Sequence, residues 1–198
     1  VNVKFLIEGE EEVGSKNLDE FVEQNSSLLS ADLCAISDTH ALSVDQPMID
    51  YGLKGLVYTQ IHIKTLGKDV HSGIYGGNVL NPINVLSQVI SLLKDGSHKI
   101  KIPGFYDNVR RLSKKERRQL DKLPFREKEV LEETGTKVVA GEKGFSVHER
   151  AGARPTLDVN GIWGGYQGEG SKTIIPAQAF AKISMRIVPN QSSDEIFR

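Results

Sequence analysis

The sequence of 198 residues lacks several things, and each shortage narrows what the chain can be. It holds a single cysteine, Cys34. That excludes an internal disulfide and points to a reducing compartment, the cytoplasm. Neither sign of charge is in excess: 25 lysines and arginines face 26 acids, for a net charge of -1. A general nucleic-acid binder is excluded on that balance. No apolar run approaches the roughly 20 residues that span a bilayer as a helix, so no membrane association is expected. The aromatic share of 7% and hydrophobic share of 38% are lean, yet they suit a folded protein, and the length can bury a real core. There is no internal repeat and no low-complexity tract. An initiator methionine and a signal peptide are missing too. The chain opens inside a strand pattern, VNVKFLIEGE, and stops about one turn into a helix, SSDEIFR. Both ends therefore read as those of an internal segment.

What is present begins with a crowd of acids. Val1, Val3, Phe5 and Ile7 alternate as a strand does, and Glu8, Glu10, Glu11 and Glu12 follow at once, flanked by Gly9 and Gly14. Asn17, with Glu20 three positions on, predicts a capping box and a helix to about Ser30. The short run DLCAIS, residues 32–37, predicts a second buried strand, and Asp38 follows it. Strand, helix and strand in under forty residues is the spacing of a crossover unit in a parallel sheet. In such sheets ligands gather beyond the carboxyl ends of the strands. That is where the glutamates and Asp38 stand.

Beyond a boundary near Tyr51–Gly52 the character changes. YGLKGLVYTQIHIKTLG, residues 51–67, predicts a long strand, and Pro82 to Lys94 a helix with Ile83, Leu86, Ile90 and Leu93 on one face. Residues 96–150 are polar and charged and read as an insertion, with one helix capped by Ser113 and Glu116. TLDVNGIWGGY and QAFAKISMRIVP predict two further strands. The whole is an α/β chain. A βαβ fragment of a parallel-sheet domain, residues 1–51, precedes an α+β domain with an antiparallel sheet, residues 52–198.

Two readings of the glutamate cluster stand side by side: a solvated charged loop, or hard oxygen ligands whose repulsion a cation relieves. Neighbours on a regular strand point to opposite faces, so Glu11 and Glu12 could serve one site only from irregular backbone. One would then hold a metal and the other act as general base toward a water. Asp38 is the matching carboxylate from the second strand. His40, two positions on, is left out as a structural histidine. In GKDVHSGIYGG, His71 either sits in a simple glycine turn or donates to an oxyanion. GGYQGEGSKT approaches a phosphate-cradling loop, but Ser171 stands where lysine is needed and IIPAQ, with its proline, follows instead of a helix. The basic run from Arg110 to Lys128 is diluted by Glu116, Asp121 and Glu127 and reads as a solvated helix face.

Taken in series, EGEEEVGS, ISD, GKDVHSGIYGG, GSKTIIP and MRIVPN resemble the zinc-dependent metallopeptidase family of carnosinase-like cytosolic dipeptidases, glutamate carboxypeptidase, aminoacylase and succinyl-diaminopimelate desuccinylase. The likeness is nearest to the dipeptidase branch and covers nearly the whole chain. It implies a catalytic domain with two divalent metal ions, zinc or manganese, and an inserted lid domain that also makes a homodimer. It implies Glu11 as general base and Glu12 and Asp38 as ligands of one metal each. His71 would steady the oxyanion at the partner subunit's site. Thr173 and Arg186 would bind substrate, the Arg186 guanidinium pairing with the substrate's carboxylate.

The expected activity is hydrolysis of short peptides by a metal-activated water. A deacylase on N-acyl amino acids and a purely structural dimerisation module are the alternatives. The family's His-x-Asp motif and its late metal-binding histidine have no counterpart in these residues. The segment alone is therefore expected to hold metal weakly and to be inactive.

Overall fold

The structure, a computed structural model, describes residues 2–36, 38, 44–45, 48–124 and 127–198. They form two compact units, Val1–His40 and Ala41–Arg198.

In the first unit the glutamates fall on a 3-10 turn, Glu11–Val13, closed by Gly14 in the left-handed region at φ 92°. Two short helices follow, α1 (Leu18–Gln24) and α2 (Ser26–Leu29). The capping box expected at Asn17 does not form. Its amide instead donates to the Glu10 carboxylate at 2.8 and 3.0 Å, and Glu20 accepts from Gln24. The charged acceptor seven residues upstream draws the Asn17 amide N–H into strong hydrogen bonds, and its side-chain oxygen makes no cap bond to the helix end.

Neither expected strand of the βαβ unit is present among the described residues of this unit. Residues 2–8 run without a ladder, and 32–36 are irregular. The physical reason is that a strand exists only against a neighbour, and two short strands under one helix have too little to bury. No described residue of this unit is buried. Val1 and Ser37, the outer ends of the two runs, and His40 lie outside the described residues.

The second unit is built on β1 (Gly55–Lys64), whose middle alternates as its sequence does. Then come β2 (Val70–His71), α3 (Ser72–Tyr75) and α4 (Pro82–Leu92). Helix α4 starts where Asn81 accepts from the Ile83 amide at 2.9 Å, with proline at its first position, where a missing N–H costs nothing. Next are α5 (Lys114–Leu120), α6 (Glu127–Thr134) and a single π-type turn, Glu149–Ala153. The chain closes with β3 (Thr156–Gly164), β4 (Ile174–Ile175), β5 (Gln178–Ile187) and α7 (Ser193–Phe197).

The main sheet is antiparallel, in the order β1-β5-β3, and β2 pairs separately with β4. Central β5 alternates strictly. Ala179, Ala181, Ile183, Met185 and Ile187 are buried while Gln178, Lys182 and Arg186 face outward. Leu86 of α4 is fully buried against Ala179 and Ala181, whose small side chains let the helix approach the sheet. The outer face carries a stack across all three strands, His62 on Phe180 at 4.4 Å and Trp163 on Phe180 at 5.1 Å.

The polar stretch 96–150 is bound into this core. Ile100 and Phe105 are buried with Val57, Leu157, Ile183 and Met185. Its far end turns on Glu149, 1% exposed, which holds Arg117 through both oxygens at 2.5 and 3.0 Å and accepts from the Ser146 amide at 2.7 Å. Burial pushes the Glu149 carboxyl up, but Arg117 and the Ser146 amide outweigh it and hold it below the usual range. A paired and hydrogen-bonded carboxylate tolerates burial where a lone one does not.

Candidate functional site

His71 is the last residue of β2 and caps α3. Antiparallel pairing places it opposite Ile174 of β4, and the next amide, Ser72 N–H, donates to the Thr173 carbonyl at 3.1 Å. Two side-chain contacts fix the imidazole. Nδ1 accepts from the Gly73 amide at 3.0 Å, and Nε2 lies 3.0 Å from the Thr173 hydroxyl. The loop is held at its base as well. The Asp69 carboxylate accepts from the Ala177 amide at 2.8 Å, and Thr65 and Leu66 donate to the Ala177 carbonyl. Gly76 is needed for space, since a Cβ there would lie 2.5 Å from the Ser72 carbonyl oxygen. Two residues 102 positions apart thus meet because a two-strand ladder brings them together.

Arg186 stands elsewhere. It lies on the outward face of β5, opposite Leu56 of β1 and Thr156 of β3. It hydrogen-bonds to neither His71 nor Thr173, and among the described residues no carboxylate forms an ion pair with it. An exposed guanidinium without an acid partner can take a ligand carboxylate in a forked pair. Beside it is a residue that the sequence did not single out. Lys54 donates to the Arg150 carbonyl at 2.7 Å, and burial first, then the Arg186 charge, lower its amine from 10.5 to about 8. Asp158 partly offsets this.

The acids of the first unit are exposed. Glu11 and Glu12 share the 3-10 turn, so they stand on irregular backbone. Asp38 is exposed between residues outside the described set. No three of His, Cys, Asp and Glu gather into a cation site among the described residues. Carboxylates are the right chemistry for a hard divalent ion, but one or two of them fall short of the three protein ligands a catalytic zinc keeps. The donors described here do not complete a metal site. The rejected phosphate loop leads into β4 rather than a helix, and Tyr166 folds back on the Glu169 carbonyl.

Residues 51–198 match the family described as "Peptidase dimerisation domain", and the chain belongs to it. Among curated relatives, the Cys-Gly metallodipeptidase DUG1 of Candida albicans is 38% identical over 198 residues, covering 99% of this chain and 41% of that protein. Human Beta-Ala-His dipeptidase is 32% identical, covering 97% and 38%. Among solved structures, an M20 family metallo-carboxypeptidase from Sulfolobus solfataricus superposes with a TM-score of 0.78 at 38% identity. That match covers 96% of this chain and 43% of the other. These relatives are metallopeptidases, and this chain spans about two-fifths of their length.

Proposed function

We propose that the chain is the part of a metal-dependent dipeptidase where a catalytic domain gives way to its lid. Residues 1–51 would belong to the former and 52–198 to the latter, with 96–150 inserted in the lid. The observation that carries this reading is the reach of the likeness. The dimerisation-domain match begins at residue 51, yet the metallodipeptidase relatives align over nearly the whole chain, acids included. The whole protein would be a cytoplasmic homodimer acting on short peptides. Zinc or manganese would be its metals, with Glu12 and Asp38 contributing carboxylates toward sites completed elsewhere.

In this reading each residue has a separate task. Glu11 takes a proton from the attacking water and returns it to the leaving amine. His71 donates from Nε2 to the carbonyl oxygen as charge develops there, at the partner subunit's site. Thr173 and Arg186 bind substrate, Arg186 pairing with its free carboxylate. The same guanidinium would suit an N-acyl amino acid equally well, so a panel of dipeptides and N-acyl amino acids separates peptidase from deacylase.

The decisive test uses the full-length enzyme. Glu11→Gln should lower turnover by roughly 10²–10⁴-fold with metal content unchanged. Full activity in that variant removes Glu11 from the base role. Arg186→Ala should weaken dipeptides more than their amidated forms, and equal losses would refute carboxylate recognition.

A further inference from the structure

We propose that Gly73 and Thr173 are positioning residues for His71. Together they lock its ring as the Nε2–H tautomer and park that N–H on the Thr173 hydroxyl, from which an arriving substrate oxygen takes it over. This rests on the reading of His71 as a donor to the substrate carbonyl.

The tautomer follows from elementary donor and acceptor rules. A backbone N–H can only donate, so the Gly73 amide at 3.0 Å from Nδ1 requires a bare lone pair on that nitrogen. The neutral ring must then carry its proton on Nε2. Among the described residues the partner of that N–H is the Thr173 hydroxyl oxygen at 3.0 Å. Accepting through oxygen leaves the Thr173 O–H free to donate, and no described residue takes it up.

The ring fits because residue 73 is glycine. A Cβ there would come within 2.9 Å of His71 Cε1 and 3.1 Å of Nδ1. The requirement is for space, since Gly73 is not in the left-handed region. Thr173 is held just as firmly, its carbonyl taking the Ser72 amide beside the β2–β4 ladder. The acid nearest in sequence, Asp69, accepts from the Ala177 amide and does not pair with the imidazole. A neutral ring of fixed tautomer offers a developing oxyanion a ready hydrogen bond with no reorganisation at the moment of reaction. When that oxygen replaces Thr173 as acceptor, the freed hydroxyl can donate to the same substrate. Only hydrogen-bond partners exchange, and no covalent bond forms or breaks.

The first test needs no activity. In the ¹⁵N-labelled chain, above the pH at which imidazoles titrate, long-range ¹H–¹⁵N spectra of His71 should show Nδ1 unprotonated and Nε2 protonated. The Nε2 proton should exchange slowly enough with water to be seen. Thr173→Val should lose that protection and Thr173→Ser should keep it. Gly73→Ala should displace the Nδ1 resonance while distant backbone amides stay put. A ring protonated at Nδ1, or equal proton exchange in the valine and serine variants, overturns the proposal.

In the full-length enzyme, Thr173→Val should cut kcat at least tenfold, with a smaller change in KM, and Thr173→Ser should stay within about threefold of the parent. Unchanged kcat in the valine variant, with the spectra as expected, would overturn the transfer to substrate. Should His71→Ala then also leave kcat intact, the donor reading of His71 fails with it. A large loss in His71→Ala beside unaltered spectra in Thr173→Val would spare the reading and sink only the positioning role.

Discussion

A lysine amine half-buried beside a guanidinium is under stress that its local sequence does not announce. Lys54 is surrounded by residues 96 and more positions away, Arg150, Arg154, Asp158 and Arg186. Its amine falls to about 8 in the folded chain against 10.5 when free. The folded state therefore binds fewer protons than the unfolded state between those values, and stability must rise with pH across that window. Below about pH 8 the cost of keeping the ammonium in place is fully present; by about pH 10.5 it is gone. Urea unfolding of this chain should show that rise, and Lys54→Met, which keeps the stem but cannot titrate, should flatten it. An identical slope in the variant would remove Lys54 as its source. Site residues differ in how far they can be read for the same reason. His71, Thr173 and Arg186 sit in recognisable motifs, whereas Lys54 and the spatial role of Gly73 exist only once distant strands meet.

At the level of elements, the parts most legible in sequence are those whose hydrogen bonds close locally. Ser113 and Glu116 form the capping box their spacing predicts, with Glu116 N–H to Ser113 Oγ at 3.2 Å and Ser113 N–H to the Glu116 carboxylate at 2.7 Å. Arg110 adds an ion pair at 2.7 Å and is the largest influence holding the Glu116 carboxyl down at about 2. Ser113→Ala should cost about 0.5–2 kcal/mol. Because the folded value lies below the free value of 4.5, this carboxylate's contribution is complete above pH 4.5 and is lost as pH falls through about 2. A carboxyl NMR titration of Glu116 should find that low midpoint, and Arg110→Ala should raise it. A midpoint that ignores the arginine would overturn the assignment. The same pattern of residues at Asn17 and Glu20 makes no box, the asparagine amide donating to Glu10 and its oxygen making no cap bond. Strands β1, β3 and β5 are legible through alternation. β2 and β4, at two residues each, are too short to show any period, and they are the strands that bring His71 to Thr173.

Across the whole molecule, apolar patterning reports the surroundings a segment is selected for, and the two units differ in how much of theirs they contain. The second unit has a continuous core from Val57 through Phe105 to Met185. In the first, Phe5 is 84% exposed, Ile7 90%, Leu33 84% and Ile36 85%. Those residues read as strand interiors, and among the described residues nothing covers them. If residues 1–51 belong to a catalytic domain, as proposed, their cover is the rest of that domain's sheet. Local stability follows buried apolar contact. Amides of α1 and α2 in this chain should therefore exchange with solvent nearly as fast as in an unfolded peptide, while those of β5 should exchange only on global unfolding. In the full-length protein the α1 and α2 amides should slow by orders of magnitude, because their apolar sides gain a partner. Equal exchange in the two contexts would mean that the first unit packs against nothing further, and the assignment of residues 1–51 to a catalytic sheet would fall.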